Sequence, residues 1–179
     1  MLGRKTILSG LLPALAVLLS GCGYKFVQYA DESGERLKIA VVTLANDSHE
    51  PGVELLATEA LRREILSRGG LELISDPESA DYRLRGRVLP VKTQSRSFTG
   101  VVLAREYEIT LGVEVIVDAA GRGRRSLGRE RFEATEIYFA SADVAVLRKN
   151  RQEALRYLSG LIAGRMHDSI DRELLSATN

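Results

Sequence analysis

The spacing of apolar residues predicts two amphipathic helices in this chain. Between Val53 and Ser67 the apolar positions recur every three or four residues, which places them on one side of a helix. Gly69 and Gly70 then predict its end, because glycine adopts the left-handed cap conformation without strain. The same spacing recurs after Ser141, which we expect to cap a second helix. At about 1.5 Å per residue, its roughly 30 residues can cross a whole sheet.

A second pattern, the alternation of apolar and polar residues, predicts strands with one buried and one wet face. In the segment 81–91, arginines at positions 83, 85 and 87 alternate with apolar residues or glycine. The segment 105–118 alternates in the same way, with glutamates on its wet side. If the two segments are antiparallel neighbours, the arginine and glutamate rows face each other. Further strands are expected at 37–44, 71–74 and 126–139.

The order of these elements predicts an α+β fold. A strand, a helix, several strands and a helix favour a two-layer sandwich, in which two helices pack on one face of a mostly antiparallel or mixed four-stranded sheet. Core packing is the expected role of four aromatic residues of the body, which are Tyr82, Tyr107, Phe132 and Tyr157.

The N-terminus has a different pattern, which predicts export and lipid attachment. Arg4 and Lys5 precede a mainly apolar run over 7–19, and Ser20 and Gly21 then precede Cys22, the only cysteine. A basic start, an apolar core and small residues describe an export signal, and the run falls short of the about 20 residues that a membrane-spanning helix needs. The end of the run resembles the lipobox of bacterial lipoproteins. The alternative is an ordinary signal peptide followed by a chance cysteine.

This interpretation divides the chain into a lipoprotein signal peptide at 1–21, a lipidated tether at 22–36 and one α+β domain at 37–176. Acyl chains such as palmitate on Cys22 anchor the protein firmly in a bilayer. Residue 23 is glycine and not the aspartate of inner-membrane lipoproteins. By resemblance to that sorting rule, the expected location is the cell outer membrane, on the periplasmic side, in a Gram-negative envelope.

Charge and histidine content argue against nucleic-acid binding and against catalysis. Arg4 and Lys5 are two of the 25 basic residues, and the remaining 23 oppose 24 acidic ones, so the body has a net charge of −1 and no basic field for nucleic acid. His49 and His167 are the only histidines and have no zinc-ligand spacing. A Gly-x-Ser-x-Gly nucleophile motif is absent from the sequence. We therefore predict no enzymatic activity, no metal and no cofactor.

A set of short motifs occurs in order along the chain and carries a family resemblance. The order resembles that of the lipopolysaccharide-assembly lipoproteins of the LptE type, although the stretch 139–143 departs from many members. The motifs are Cys22-Gly23-Tyr24-Lys25-Phe26, Ile39-Ala40-Val41, Asn46 with Glu50-Pro51-Gly52, Ala60-Leu61-Arg62-Arg63-Glu64, Asp76 with Ala80-Asp81, Leu84-Arg85-Gly86, Tyr107-Glu108-Ile109 and Asn150-Arg151-Gln152-Glu153-Ala154-Leu155.

The resemblance implies a concrete role. Such a lipoprotein sits as a plug inside LptD, a large outer-membrane β-barrel, and the two deliver lipopolysaccharide to the outer leaflet. The implied partners are therefore an LptD-type barrel, lipopolysaccharide and the membrane that holds the lipid anchor. Two alternatives of other classes stay open. One is a periplasm-facing lipoprotein that scaffolds another envelope complex or binds a small ligand, and the other is a lipid-anchored hydrolase.

The candidate lipopolysaccharide contacts are basic residues, because guanidinium groups bind phosphate with two hydrogen bonds. Arg122, Arg124 and Arg125 form the densest group, at the turn between two predicted strands. We expect Lys92 and Arg96 to reach the same tip if the hairpin pairs as supposed. The alternative is that this basic tip is ordinary solvated surface, as charged turns are in most proteins.

Overall fold

The structure, a computed structural model, describes residues 34–98, 104–119 and 126–178. It contains two helices, α1 (Val53–Arg68) and α2 (Val144–Thr178). The strands are β1 (Lys38–Val41), β2 (Ala45–Asn46), β3 (Glu72–Ile74), β4 (Tyr82–Val88), β5 (Lys92–Phe98), β6 (Ala104–Ala119) and β7 (Ser126–Phe139). The predicted signal peptide, Cys22 and most of the tether lie outside the described residues.

Strand β6 is the central strand of one mixed sheet. Along one edge it pairs with β7, and along the other edge it pairs first with β5 and then with β4, always antiparallel. On the far side of β4, the strands β1 and β3 follow in parallel, and β2 continues the line of β1 along β4. The α+β class and the mixed sheet were predicted correctly.

The prediction of four strands was wrong, because the described sheet has seven. Two strands were not indicated by any pattern. One is the two-residue β2, which lies beyond the expected strand at 37–44. The other is β5, whose sequence, Lys-Thr-Gln-Ser-Arg-Ser-Phe, has no apolar alternation. It forms because the chain stays on the same edge of β6 after the break at Leu89, Pro90 and Val91. Backbone pairing with a long neighbouring strand can therefore order a polar segment, whose side chains at positions 92–96 are exposed.

The core lies between the sheet and the two helices. Ile109, Leu111 and Val113 of β6 have no exposed surface, and they belong to one cluster with Leu61 of α1 and Leu158 of α2. Each such burial contributes about 1.5–3 kcal/mol relative to an exposed side chain. The apolar residues of β6 and of both helices thus face the core, as the sequence patterns predicted.

The C-terminal end of α1 and the N-terminal end of α2 are set by specific local groups. Gly69 has a φ of 69° and its N–H donates to the Ile65 carbonyl at 3.1 Å, so it ends α1 as predicted. The cap of α2 was predicted wrongly as Ser141. The carboxylate of Asp143 instead accepts from the N–H of Ala145 at 2.7 Å, while the Ser141 hydroxyl accepts from the Asp143 N–H. A carboxylate one step from the helix satisfies its first free N–H groups more directly.

Candidate interaction surface

The sheet face opposite the helices, here called the outer face, carries matched rows of opposite charge. Arg87 Nη2 lies 3.0 Å from Glu114 Oε1, and its Nη1 lies 3.4 Å from Asp47 Oδ2. Arg85 Nε donates to Asp118 Oδ2 at 2.7 Å. Because β4 and β6 are antiparallel neighbours, the predicted meeting of the arginine row with the acidic row is confirmed.

The pairing continues across β7 and down to β5. Arg129 Nη1, at the start of β7, lies 3.6 Å from Glu114 Oε1. The Glu114 carboxylate therefore forms ion pairs with arginines of two strands, β4 and β7. Arg96 of β5 lies 3.2 Å from Glu108. Arg131 donates to Glu133, and this hydrogen bond is the main reason that the pKa of Glu133 is lowered.

These contacts define what the outer face can do chemically. The carboxylates of Glu114 and Asp118 are only 20% exposed, since arginine side chains cover them. An anion that binds these arginines must compete with a carboxylate already in place. The outer face is therefore suited to a hydrated or polar protein surface more than to a strong phosphate site.

The structure separates the predicted contact residues. Arg122, Arg124 and Arg125 lie outside the described residues, in the connection that leaves β6 at Ala119. Lys92 pairs with Thr110, nine positions before that end, which corresponds to about 30 Å of strand. Arg96 lies further away, so the expected grouping of Lys92 and Arg96 with the turn was wrong. The reason is that β5 continues away from the Ala119 end of β6.

The end of the sheet at Ala119 is also the end at which the chain enters the body. The Lys38 N–H donates to Asp81 Oδ2 at 2.7 Å, and the Asp81 N–H donates to the Lys38 carbonyl at 2.9 Å. Tyr82, the next residue, pairs with Ala119 across the sheet. The tether therefore joins the body at the same end as the connection 120–125.

A polar cluster at the opposite end was not found from the sequence. Arg151 of α2 donates through Nε to Glu50 Oε1 at 3.1 Å, through Nη1 to the Tyr138 hydroxyl at 2.9 Å and to Thr93 Oγ1 at 3.0 Å. The hydrogen bond that Arg151 donates to Glu50 is the main cause that raises the pKa of Arg151. Tyr138 stacks on Tyr107, with ring centroids 5.4 Å apart. A single charge in an amphipathic helix has no sequence signature that reveals such a partner.

Beside this cluster, a cleft of about 410 Å³ opens between the end of β7 and the first half of α2. Its walls include Ile137, Phe139, Ala154 and Tyr157. Core packing was predicted for Tyr157 and is wrong, since this side chain is 58% exposed. It precedes the buried Leu158, about 100° around the helix, which turns it away from the core. The predictions for Tyr82, Tyr107 and Phe132 are confirmed by their packing against the core.

Other kinds of site find little support in the described ranges. No group of three His, Cys, Asp or Glu side chains there is placed to hold a metal ion. His167 is buried on α2 and His49 lies in the loop before α1, so the histidines do not meet. Of the helices in the described ranges, none combines the length and the apolar character needed to cross a bilayer.

The two helices and the mixed sheet with its charged outer face define a two-layer α+β fold. A family model matches residues 37–170, and the chain belongs to this family, LptE, described as lipopolysaccharide-assembly. No curated protein matches the sequence significantly.

Solved structures show the same fold at low sequence identity. One is rare lipoprotein B from Shewanella oneidensis, with a TM-score of 0.54 and 14% identity over 79% of this chain and 99% of that chain. Another is protein XCC0632 from Xanthomonas campestris, with a TM-score of 0.53 and 12% identity over 83% of this chain and 90% of that chain. At these identities the likeness concerns the fold alone.

Proposed function

We propose that the protein is an outer-membrane lipoprotein, anchored on the periplasmic side through Cys22, that acts as the plug of an LptD-type β-barrel in lipopolysaccharide assembly and delivery to the outer leaflet. The observation that carries the proposal is the family match over residues 37–170, which includes every strand and most of α2. The work is binding and positioning, with no bond made or broken by the chain.

The outer face supports this proposal physically. The lumen of a large outer-membrane barrel is polar and wet, whereas its outside is apolar. A plug in such a lumen needs a surface that stays soluble and still makes directional contacts. The paired arginine and carboxylate rows of β4, β6 and β7 provide such a surface, because hydrogen-bonded charges are adaptable to polar neighbours.

Lipopolysaccharide contact is proposed at Arg122, Arg124 and Arg125, whose guanidinium groups suit the phosphates of the glycolipid. They follow Ala119, at the end of the sheet where the tether joins the body. Lys92 and Arg96 are proposed as a separate and weaker contact. Arg96 is already engaged by Glu108 at 3.2 Å, which lowers its availability to an anion.

The experiment that tests the proposal is a pull-down of the tagged lipoprotein from its own membranes in mild detergent, followed by mass spectrometry. An unrelated outer-membrane lipoprotein with the same tag is the matched control. We expect a large outer-membrane barrel in stoichiometric amount with the protein and not with the control. Recovery of the lipoprotein alone, or with periplasmic proteins only, would contradict the plug role. That result would favour a periplasm-facing lipoprotein that scaffolds another complex or binds a small ligand.

A further inference from the structure

The free side of β7 is closed at two points and open between them. Arg165 of α2 donates to the Glu133 carbonyl at 2.8 Å, and Asn150 donates to the Phe139 carbonyl at 3.0 Å. Between these points lie Thr135 and Ile137. In the part of the chain that the structure describes, β7 pairs with β6 alone.

The register shows which backbone groups face the open side. The Gly112 carbonyl accepts from the Leu89 N–H at 2.8 Å, so even-numbered residues of β6 direct their backbone groups toward β4 and β5. Odd-numbered residues of β6 direct their backbone groups toward β7. One example is Leu111, which lies opposite Ala134. Even-numbered residues of β7 therefore bond to β6. Thr135 and Ile137 direct their N–H and C=O groups outward, and no described group bonds to them there.

Exposed apolar side chains are concentrated at the end of β7 and in the first half of α2. The described residues include seven large apolar side chains that are exposed, and five of them belong to the end of β7 and the first half of α2. These five are Ile137, Phe139, Val144, Val146 and Tyr157. An open edge usually carries lysine or proline that prevents strand pairing, or is covered. An apolar open edge beside a cleft instead indicates a binding site.

The charges of the cleft indicate the chemistry of the occupant. Glu136 and Glu153 both line it. Glu153 lies 3.8 Å from Lys149, whereas Glu136 has no ion pair with any described residue. A side chain that enters the cleft beside Glu136 is therefore best matched by lysine or arginine, whose aliphatic stem can lie along Tyr157.

We propose that the open edge of β7 receives an extended segment of the protein's partner, which pairs with Thr135 and Ile137 as an added strand. Side chains of the segment that lie on the outer face contact Ile137 and Phe139 and are apolar. Side chains on the helix side enter the cleft, where a basic residue meets Glu136. The segment thus alternates apolar and basic or polar residues over four or five positions, as strand addition requires.

The identity of the partner rests on the proposed function. A closed barrel wall has no unpaired edge, so the donor is a loop or terminal segment of the barrel protein and not a wall strand. A second copy of this chain is a poor occupant. Antiparallel pairing of two β7 edges would bring Glu136 and Glu153 of one copy toward those of the other, and like charges across paired strands are destabilising.

Site-specific photocrosslinking in native membranes tests this inference on the full-length lipoprotein. A photoreactive phenylalanine analogue replaces Ile137 or Phe139, with Leu66 as the matched control because it is 64% exposed on α1. We expect products at Ile137 and Phe139 whose mapped segment belongs to the barrel and alternates as described. A mapped segment of that kind from another protein would support strand addition and overturn the barrel partner. Products with a second copy, or none above the Leu66 level, would overturn the inference.

Backbone variants separate strand addition from simple apolar contact. Ile137→Pro removes an outward N–H without removing a bond to β6, and Glu133→Pro makes the same change where Arg165 already closes the edge. We expect Ile137→Pro to reduce crosslinking at Phe139 to the Leu66 level and Glu133→Pro to leave it unchanged. If Ile137→Pro fails to fold, Ile137→Lys replaces it, since lysine blocks edge pairing without backbone strain. Undiminished crosslinking in a folded variant would contradict strand addition.

Discussion

Arg151 and Glu50, 101 positions apart in the sequence, form an ion pair that ties the start of α2 to the loop before α1. The same guanidinium donates to Tyr138 of β7 and to Thr93 of β5. One side chain thus joins two strands, a loop and a helix. Both partners belong to motifs that carry the family resemblance, and the fold makes those distant motifs neighbours.

Removal of this guanidinium should destabilise the body. Arg151→Met leaves the Glu50 carboxylate, which is 24% exposed, without its cation. We expect a loss of about 1–3 kcal/mol in the free energy of unfolding, because a partly buried charge loses its hydrogen bonds. Urea unfolding followed by circular dichroism measures it. Arg156→Met is the control, since Arg156 is exposed, and should change the free energy of unfolding by less than about 0.5 kcal/mol. Equal losses in the two variants would contradict a special role of Arg151.

Gly86 should tolerate no side chain. A Cβ at this position would collide with the Glu114 carbonyl and lie 3.0 Å from the Val115 Cα, and backbone atoms of the sheet centre cannot move aside cheaply. We expect Gly86→Ala to lower the free energy of unfolding by about 1–3 kcal/mol. Gly160→Ala is the matched control, since nothing lies within 4 Å of the added Cβ on α2. It should raise stability by about 0.5–1 kcal/mol. Thermal and urea unfolding of both variants would show opposite signs, and a loss in both would refute the steric explanation.

Stability should fall at mildly acidic pH because of His167. This side chain is 2% exposed, and burial lowers its pKa below the ordinary value of 6.5. The facing groups are Asp171, whose carboxylate oxygen lies 3.2 Å from Nδ1, and Arg68, Glu64 and Asp168 between the helices. Between the folded pKa of His167 and pH 6.5, the unfolded chain binds a proton that the folded chain does not, so acid favours unfolding in this window.

The loss of stability should therefore start as the pH falls through 6.5 and stop increasing below the folded pKa of His167. Above 6.5 the imidazole is neutral in both states and contributes no pH dependence. Urea unfolding between pH 8 and pH 5 measures the slope. The variant His167→Gln cannot titrate and should have a flatter profile in this window. Identical slopes for the protein and the variant would show that other groups cause the acid sensitivity.

Replacement of Arg122, Arg124 and Arg125 together by serine should weaken lipopolysaccharide binding without unfolding the body. The expected reason is the loss of bidentate phosphate contacts. The comparison pair Lys92→Ser and Arg96→Ser, which removes the weaker proposed contact on β5, should lower binding less than the triple variant. Binding is measured with lipopolysaccharide and, in parallel, with phosphatidylglycerol vesicles, which separate glycolipid recognition from general phosphate attraction. Unchanged binding of lipopolysaccharide by the triple variant would show that the turn is ordinary solvated surface and not a binding site.

Cys22→Ser should abolish lipid attachment. The thiol is the predicted attachment atom, and a hydroxyl cannot replace it in the thioether bond. We expect uncleaved or unlipidated precursor, detected by the mass of the protein and by metabolic labelling with a palmitate analogue. Tight fractionation of the variant with the membrane, without precursor and without label, would show that another segment anchors the chain.

Local patterns were sufficient for most of the fold. The stripe of α1 and its glycine stop, the alternation of β6 and the extent of β7 were all predicted, because each depends on residues close in sequence. The alternation of polar residues in β4 and β6 also predicted that the arginine row faces the acidic row, provided that the two strands are antiparallel neighbours. The strands β2 and β5 and the Asp143 cap were missed. The two strands form by pairing with distant strands, and the cap depends on competition between two nearby polar residues, Ser141 and Asp143.

The sequence by itself determined the α+β class, the two helical stripes, the charged outer face and the family resemblance, because periodicity records which side of each element is buried. Only the tertiary structure decided that Arg151 meets Glu50, that Lys92 and Arg96 lie away from Ala119, and that β7 has an open edge beside Tyr157. These facts depend on strand order and register, which arise from contacts between residues far apart in the chain. A single sequence carries no local signal for such contacts, since many pairings bury the same apolar faces equally well.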